Sequence, residues 1–258
     1  MSLTSVAKRL PGVDLILWLA PLGRATRYLG LTLLSLPRWR FRHEMRAIFQ
    51  WMGPQSFHLV ALAAVVVAIA LTMQCVVELE KYQAQDLAGA VISLGLLREV
   101  GPLTVSLAWC ARVAAMVADQ AQQYDCDNPG ASDSDYAADF IAPRLMAALL
   151  MSIPLGGYGL AIGFITGALA TPLLTVSTTQ QFLECAREAI TVKDLTVYFI
   201  KLILVNPPIA IFAGCVAGRL AAGNKNGAAY SVAARAVTAL FICGFVANLI
   251  VSLLAYLN

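Results

Sequence analysis

The chain of 258 residues has little charge: Asp, Glu, Lys and Arg make up 13% of it, about half the share of a soluble domain. A water-soluble globular fold is therefore excluded. Histidine is scarcer still, and neither His43 nor His58 sits in an H-E-x-x-H or Ser-His-Asp pattern. No G-x4-G-K-[ST] loop is present. Gly223-Asn224-Lys225-Asn226-Gly227 is rich in glycine but lacks that spacing, so no phosphate cradle is expected. The six cysteines, at 75, 110, 126, 185, 215 and 243, form no C-x-x-C pair and read as small core residues. Asp125-Cys126-Asp127-Asn128-Pro129-Gly130 begins like a calcium loop. It lacks the third acid, and Tyr136 stands where the closing Glu belongs. These gaps leave no intrinsic enzyme and no metal or directly bound cofactor to expect.

What is present is apolar: 59% of residues, with mean hydropathy +0.73. About 20 apolar residues cross a bilayer as a helix. Five runs qualify: 57–77, 91–123, 140–170, 197–216 and 237–256. The fold class is all-α, a polytopic membrane protein of about five spans forming one domain over 1–258. Residues 1–55 read as an interfacial elbow, with an amphipathic helix in the Pro-broken, Arg- and Tyr-bearing stretch 13–37. Residues 56–258 form the bundle. Eight of the 18 Lys and Arg precede residue 55, which points to an anionic membrane face rather than nucleic acid. Basic segments stay inside, so the N-terminus is expected in the cytoplasm and the C-terminus outside. Thr171 to Thr196 reads as a polar surface helix on the far side. Gly157, Gly163 and Gly167 offer a small face for close helix packing.

The unusual stretch is 91–123, VISLGLLREVGPLTVSLAWCARVAAMVADQAQQ. Arg98, Glu99 and Arg112 are costly at membrane depth and should face a bundle interior or a wet cavity. Pro102 removes a backbone donor and Gly101 permits close approach. Two readings stand. The three charges pair with one another or with carbonyls and hold a kink, or they line a path for a lipid headgroup.

Leu96-Leu97-Arg98-Glu99-Val100-Gly101-Pro102, followed by Ala111-Arg112-Val113-Ala114-Ala115 and Ala118-Asp119, resembles the signature of MlaE/YrbE-type permeases. The family pattern is close to R-E-L-G-P, G-R-x-G-[AS]-A and A-E. Pro143-Arg144-Leu145-Met146-Ala147 matches a further P-R-x-x-A. The resemblance runs from about Gln74 to the C-terminus. It implies a permease subunit of an ABC-type lipid transporter in a bacterial inner membrane. Such a subunit pairs with a second copy or paralogue and with cytoplasmic ATPases that bind ATP and Mg. On the far side it meets a ring of MCE proteins. Gln74, Arg98, Glu99, Arg112 and Asn248 become substrate-pathway candidates, with Gln74 open also to a plain interfacial role.

The chain departs from the family between the second and third spans. There a coupling helix with E-Q-[IL] and D-P is replaced by the loop 120–139, which from Tyr124 on reads YDCDNPGASDSDYAAD before Phe140. Asn128-Pro129-Gly130 should end the preceding helix, and Ser132 to Asp135 should cap a new one. Tyr124, Asp125, Asp127, Asp133, Asp135, Tyr136 and Asp139 are the coupling candidates. Tyr136 and Phe140 are expected exposed as a reduced apolar knob, giving a weakened ATPase contact; a solvated loop with no contact is the alternative. Asn248 stands near a position where the family often has an acid. A structural pseudo-permease that anchors an MCE assembly without ATP coupling remains the second reading. An ion-coupled transporter is the third, and it lacks the internal repeats that class would show.

Overall fold

The computed structural model describes residues 23–34, 42–128, 130–175, 177–222 and 229–257, with side chains for all but 42–45 and 229–231. These residues are helical apart from short turns. Helix α1 covers 23–34 and α2 covers Arg42–Met52. A turn at Gly53 leads to α3, Phe57–Lys81. Then come α4, Gln85–Asp127, and α5, Asp133–Leu174. A short amphipathic α6, Thr179–Ala189, precedes α7, Val192–Ala222, and α8, Ala229–Tyr256. Among the described residues five helices are long and apolar enough to span a membrane. Short connections make successive spans run in opposite directions. One end of the bundle thus carries α1, α2 and the α4–α5 turn, and the other carries α6 and the end of α8. The far-side helix expected within 171–196 is α6. It lies on the start of α4, with Phe182 and Ala186 buried. Of the elbow, α1 and α2 are described. Residues 1–22 and 35–41 of that expectation fall outside the described residues.

Three π-helical segments interrupt the spans: Leu96–Ser106 in α4, Tyr136–Ile141 in α5 and Ile200–Val205 in α7. The first has a cause in the sequence. Pro102 offers no amide to the carbonyl of Arg98 four residues earlier, so the ladder widens there.

The core is built on α4 packed against α7. A Cβ at Gly214 would lie 2.7 Å from the carbonyl oxygen of Ala114, and one at Gly218 would lie 2.4 Å from that of Ala118. Glycine is needed at both positions for the backbones to meet. Trp109, buried, donates its indole N–H to the Met52 carbonyl at 3.0 Å and ties α2 to α4. On α5 the packed small face is the expected one at Gly163 and Gly167 but not at Gly157. Nothing lies within 4 Å of a Cβ at Gly157, whereas one at Gly156 would meet Leu202 and one at Gly159 would meet Val105. The glycine run spans more than one helical face, so spacing alone placed the seam one residue off; Gly163 and Gly167 do lie on it.

The α4–α5 turn breaks where expected. Asn128 ends α4, Gly130 takes φ 103°, and the Ser132 side chain accepts from the Asp135 amide as the cap of α5. A left-handed φ of this kind favours glycine. The expected exposure of Tyr136 and Phe140 is not observed. Tyr136 is fully buried and Phe140 nearly so, stacked on each other with centroids 5.1 Å apart. Both rings turn inward because the π-helical turn rotates them onto Tyr28 of α1, Tyr124 of α4 and Arg144.

Candidate functional site

A polar seam runs between α4, α7 and α8 in the far half of the bundle. It starts at Asp194. Thr191-Val192-Lys193-Asp194 forms a capping box at the start of α7. The Thr191 side chain accepts from the Asp194 amide, and Asp194 Oδ2 accepts from the Thr191 amide at 3.1 Å and its hydroxyl at 2.7 Å. The box fixes the carboxylate, which presents Oδ1 to Arg98 Nε at 2.7 Å and to the Tyr256 hydroxyl at 2.9 Å. The Arg98 guanidinium also lies over the Tyr256 ring, 4.7 Å from its centroid.

About two turns further along α7 is Lys201, inside its π-helical segment and wholly buried. Its Nζ donates to the Arg98 carbonyl, the acceptor that Pro102 leaves without its usual partner. It also donates to Glu99 Oε1 at 3.1 Å and to Ser252 Oγ at 2.6 Å, and Ser252 donates in turn to Glu99 at 2.5 Å. The two π-helical segments therefore face each other through one ammonium group. A buried ammonium is tolerated only with such a full set of acceptors.

Deeper again, buried Asn206 donates to the Pro102 carbonyl at 3.2 Å and to Ser106 Oγ at 3.0 Å. Buried Asn248 donates to Asn206 Oδ1 at 2.6 Å and to the Gly244 carbonyl at 2.7 Å. Asn248 Oδ1 has no partner among the described residues.

The candidates thus separate. Arg98, Glu99 and Asn248 belong to one seam. Arg112 does not, since it lies 14 residues further along α4, about 21 Å of helix rise. It donates to the Gln55 carbonyl, to Gln55 Oε1 at 2.9 Å and to Ser56 Oγ at 3.0 Å, pinning the start of α3. Gln74 sits on an exposed face of α3, away from the seam. Arg98 and Glu99 pair neither with each other nor with Arg112; their partners are Asp194 and Lys201.

Sequence reasoning missed Asp194, Lys201, Asn206, Ser252 and Tyr256 as members of the site. Two signals were legible. Thr191-x-x-Asp194 ahead of an apolar run is a capping motif, and Lys201 is a lone cation inside Phe199-Ile-Lys-Leu-Ile-Leu-Val205. Exposure sets the members apart. The side chains of Asp194 and Lys201 are 0% exposed, whereas those of Arg98 and Glu99 are 40% and 44% exposed. One cation and one anion are held out on the surface of an apolar bundle.

At the other end, Arg219 near the close of α7 gathers the coupling candidates. Its Nε donates to Asp125 at 3.2 Å, and its Nη1 donates to Asp133 at 2.6 Å and to the Tyr28 hydroxyl at 2.8 Å. Its guanidinium lies over Tyr136, 4.3 Å from the ring centroid. Asp127, Asp135 and Asp139 are exposed.

Five antiparallel spans with a charged seam that opens on their outer surface are the architecture of an integral membrane protein. The chain belongs to the MlaE permease family, whose model matches residues 45–254. It is 26% identical over 251 residues, 94% of each chain, to the probable ABC transporter permease protein slr1045 of Synechocystis sp.. It is also 27% identical over 164 residues to the intermembrane phospholipid transport system permease protein MlaE of Haemophilus influenzae, covering 61% of this chain and 62% of that one.

Proposed function

We propose that this chain is the membrane subunit of an ABC-type transporter of phospholipid or a related amphiphile, with ATP hydrolysed by a separate subunit. Arg98 and Glu99 carry the reading. Charges exposed to lipid are expensive and mark substrate pathways, and here each is fixed in place by a wholly buried partner of opposite sign. A second permease copy seated over this face would enclose the two charges in a polar cleft. The Arg98 guanidinium suits a phosphate diester, and the Glu99 carboxylate suits a headgroup amine or hydroxyl. The family match and the named activity of the Haemophilus relative support the same conclusion. An MCE-type ring on the far side and an ATPase at the α4–α5 turn complete the assembly. The turn lacks the family's apolar knob, because Tyr136 and Phe140 are used inside the bundle. Its ATPase contact therefore rests on the exposed acids Asp127, Asp135 and Asp139 and is weak or shared with the second permease.

The test is lipid transfer by the complex reconstituted with its partners. Glu99→Gln keeps an acceptor for Ser252 and Lys201 but removes the negative charge. It should assemble normally and transfer lipid about tenfold more slowly, the loss of one charge-assisted contact. Transfer at the wild-type rate would reject the proposed pathway.

A further inference from the structure

Beside Arg219, at the end of the bundle opposite the seam, an open cavity of about 280 Å³ is lined by Arg24, Arg27, Tyr28, Asp133 and Arg219. That is far more than the ~10–15 Å³ one water needs. Its walls are polar and its charges do not cancel. Arg27 pairs with Asp133 at 3.0 Å, and Arg219 is shared between Asp133 and Asp125. Arg24, exposed on the rim, has no acid partner among the described residues. Among the described lining residues and their ion-pair partners, three guanidiniums therefore face two carboxylates, Asp133 in the wall and Asp125 behind Arg219, and one positive charge is left over. Arg219 is held rigidly by Asp125, Asp133, the Tyr28 hydroxyl and the face of the Tyr136 ring. Tyr28 is buried, and burial raises its phenol above the ordinary value. Its hydroxyl therefore stays neutral and keeps a proton to donate after accepting from Arg219. Leu29, Leu33 and Leu34 on the same helix are exposed, Leu34 at 79%. A cationic recess next to a strip of uncovered leucines matches a molecule with one anionic group and an acyl chain.

We propose that this recess binds a resident phospholipid through its phosphodiester, with Arg24, Arg27 and Tyr28 as the contacts and the exposed leucines of α1 beside the acyl chain. A phosphodiester carries the single negative charge that balances the site, and guanidinium is the side chain best matched to it. The bound lipid would reach the α4–α5 turn through Arg27, which pairs with Asp133. The site lies at the opposite end of the bundle from Arg98 and Glu99 and does not depend on the transport reading.

The experiment is calorimetric titration of the purified full chain in detergent with dihexanoyl phosphatidylglycerol, and separately with inorganic phosphate. The lipid should bind saturably. Arg24→Gln breaks no ion pair and should weaken binding about tenfold, as expected for one charge-assisted hydrogen bond. Lys81→Gln, which removes the same charge at the far end of α3, should leave binding unchanged. Equal binding of inorganic phosphate with the same Arg24 dependence would make this a free-phosphate site and overturn the lipid assignment. Lipid binding unaffected by Arg24→Gln, or no saturable binding, would overturn the site altogether.

Discussion

Lys201 is the residue on which the seam turns. Its ammonium serves three acceptors from two other helices, so removing it strands a backbone carbonyl and a carboxylate together. Lys201→Met should lower stability by about 1–2 kcal/mol, a lost buried partner moderated by the weak polar energetics of membrane bundles. Combining it with Glu99→Gln should recover part of that, because the stranded charge is then gone. Detergent unfolding of the two single variants and the double variant measures the coupling, and strict additivity would show that the pair does not interact. Tyr136 makes a contrasting case. As a wholly buried ring stacked on Phe140 and under Arg219, its truncation to Ala should cost about 3 kcal/mol by leaving a cavity. On the proposed assembly, the ATPase should then be lost only in proportion to the folded protein. Reversing Asp135 and Asp139 to Lys should instead release the ATPase from a fully folded permease, which co-purification against a folding assay would separate.

At the scale of elements, the contact of α4 with α7 sets the shape of the bundle. Gly218→Ala would place a methyl group against the carbonyl of Ala118 and within 2.5 Å of Ala121 Cβ. Backbone cannot step aside as a side chain can, so a loss of about 1–3 kcal/mol is expected. Gly157→Ala on α5 meets open space and should be neutral or stabilising by up to about 1 kcal/mol, as a glycine replaced inside a helix. Thermal unfolding of both variants distinguishes this register from the one that spacing suggested. Helix interiors themselves were legible. The five apolar runs became five spans, and Pro102 and Asn128 marked a distortion and an end because each acts on its own backbone. The face that a glycine run presents was not legible, since 156, 157 and 159 differ only in which neighbour they meet.

For the whole molecule, five alternating spans put α1 and Leu257 at opposite ends. With the basic amino-terminal segment inside, exposed Cys126 beside the α4–α5 turn should resist an impermeant maleimide until the membrane is opened. A cysteine introduced at Leu257 in a background free of the other thiols should label from outside. The reverse pattern would invert the topology.

The sequence by itself determined the number of spans, their order, a distortion at Pro102 and the short cap at Ser132. Each follows from the residue's own hydropathy or backbone chemistry, and that information is local. It also marked Arg98 and Glu99 as charges needing an explanation. Only the tertiary structure decided what they pair with. Asp194, Lys201, Ser252 and Tyr256 lie about a hundred to more than a hundred and fifty positions away, on helices whose rotation is fixed by packing against α4. The same holds at the other end, where Arg219 draws Tyr28, Asp125, Asp133 and Tyr136 together from three other helices. A charge in an apolar run reveals that a partner must exist, because burying it alone is too costly. Which partner answers depends on the angle and depth at which the helices meet, and no single segment carries that.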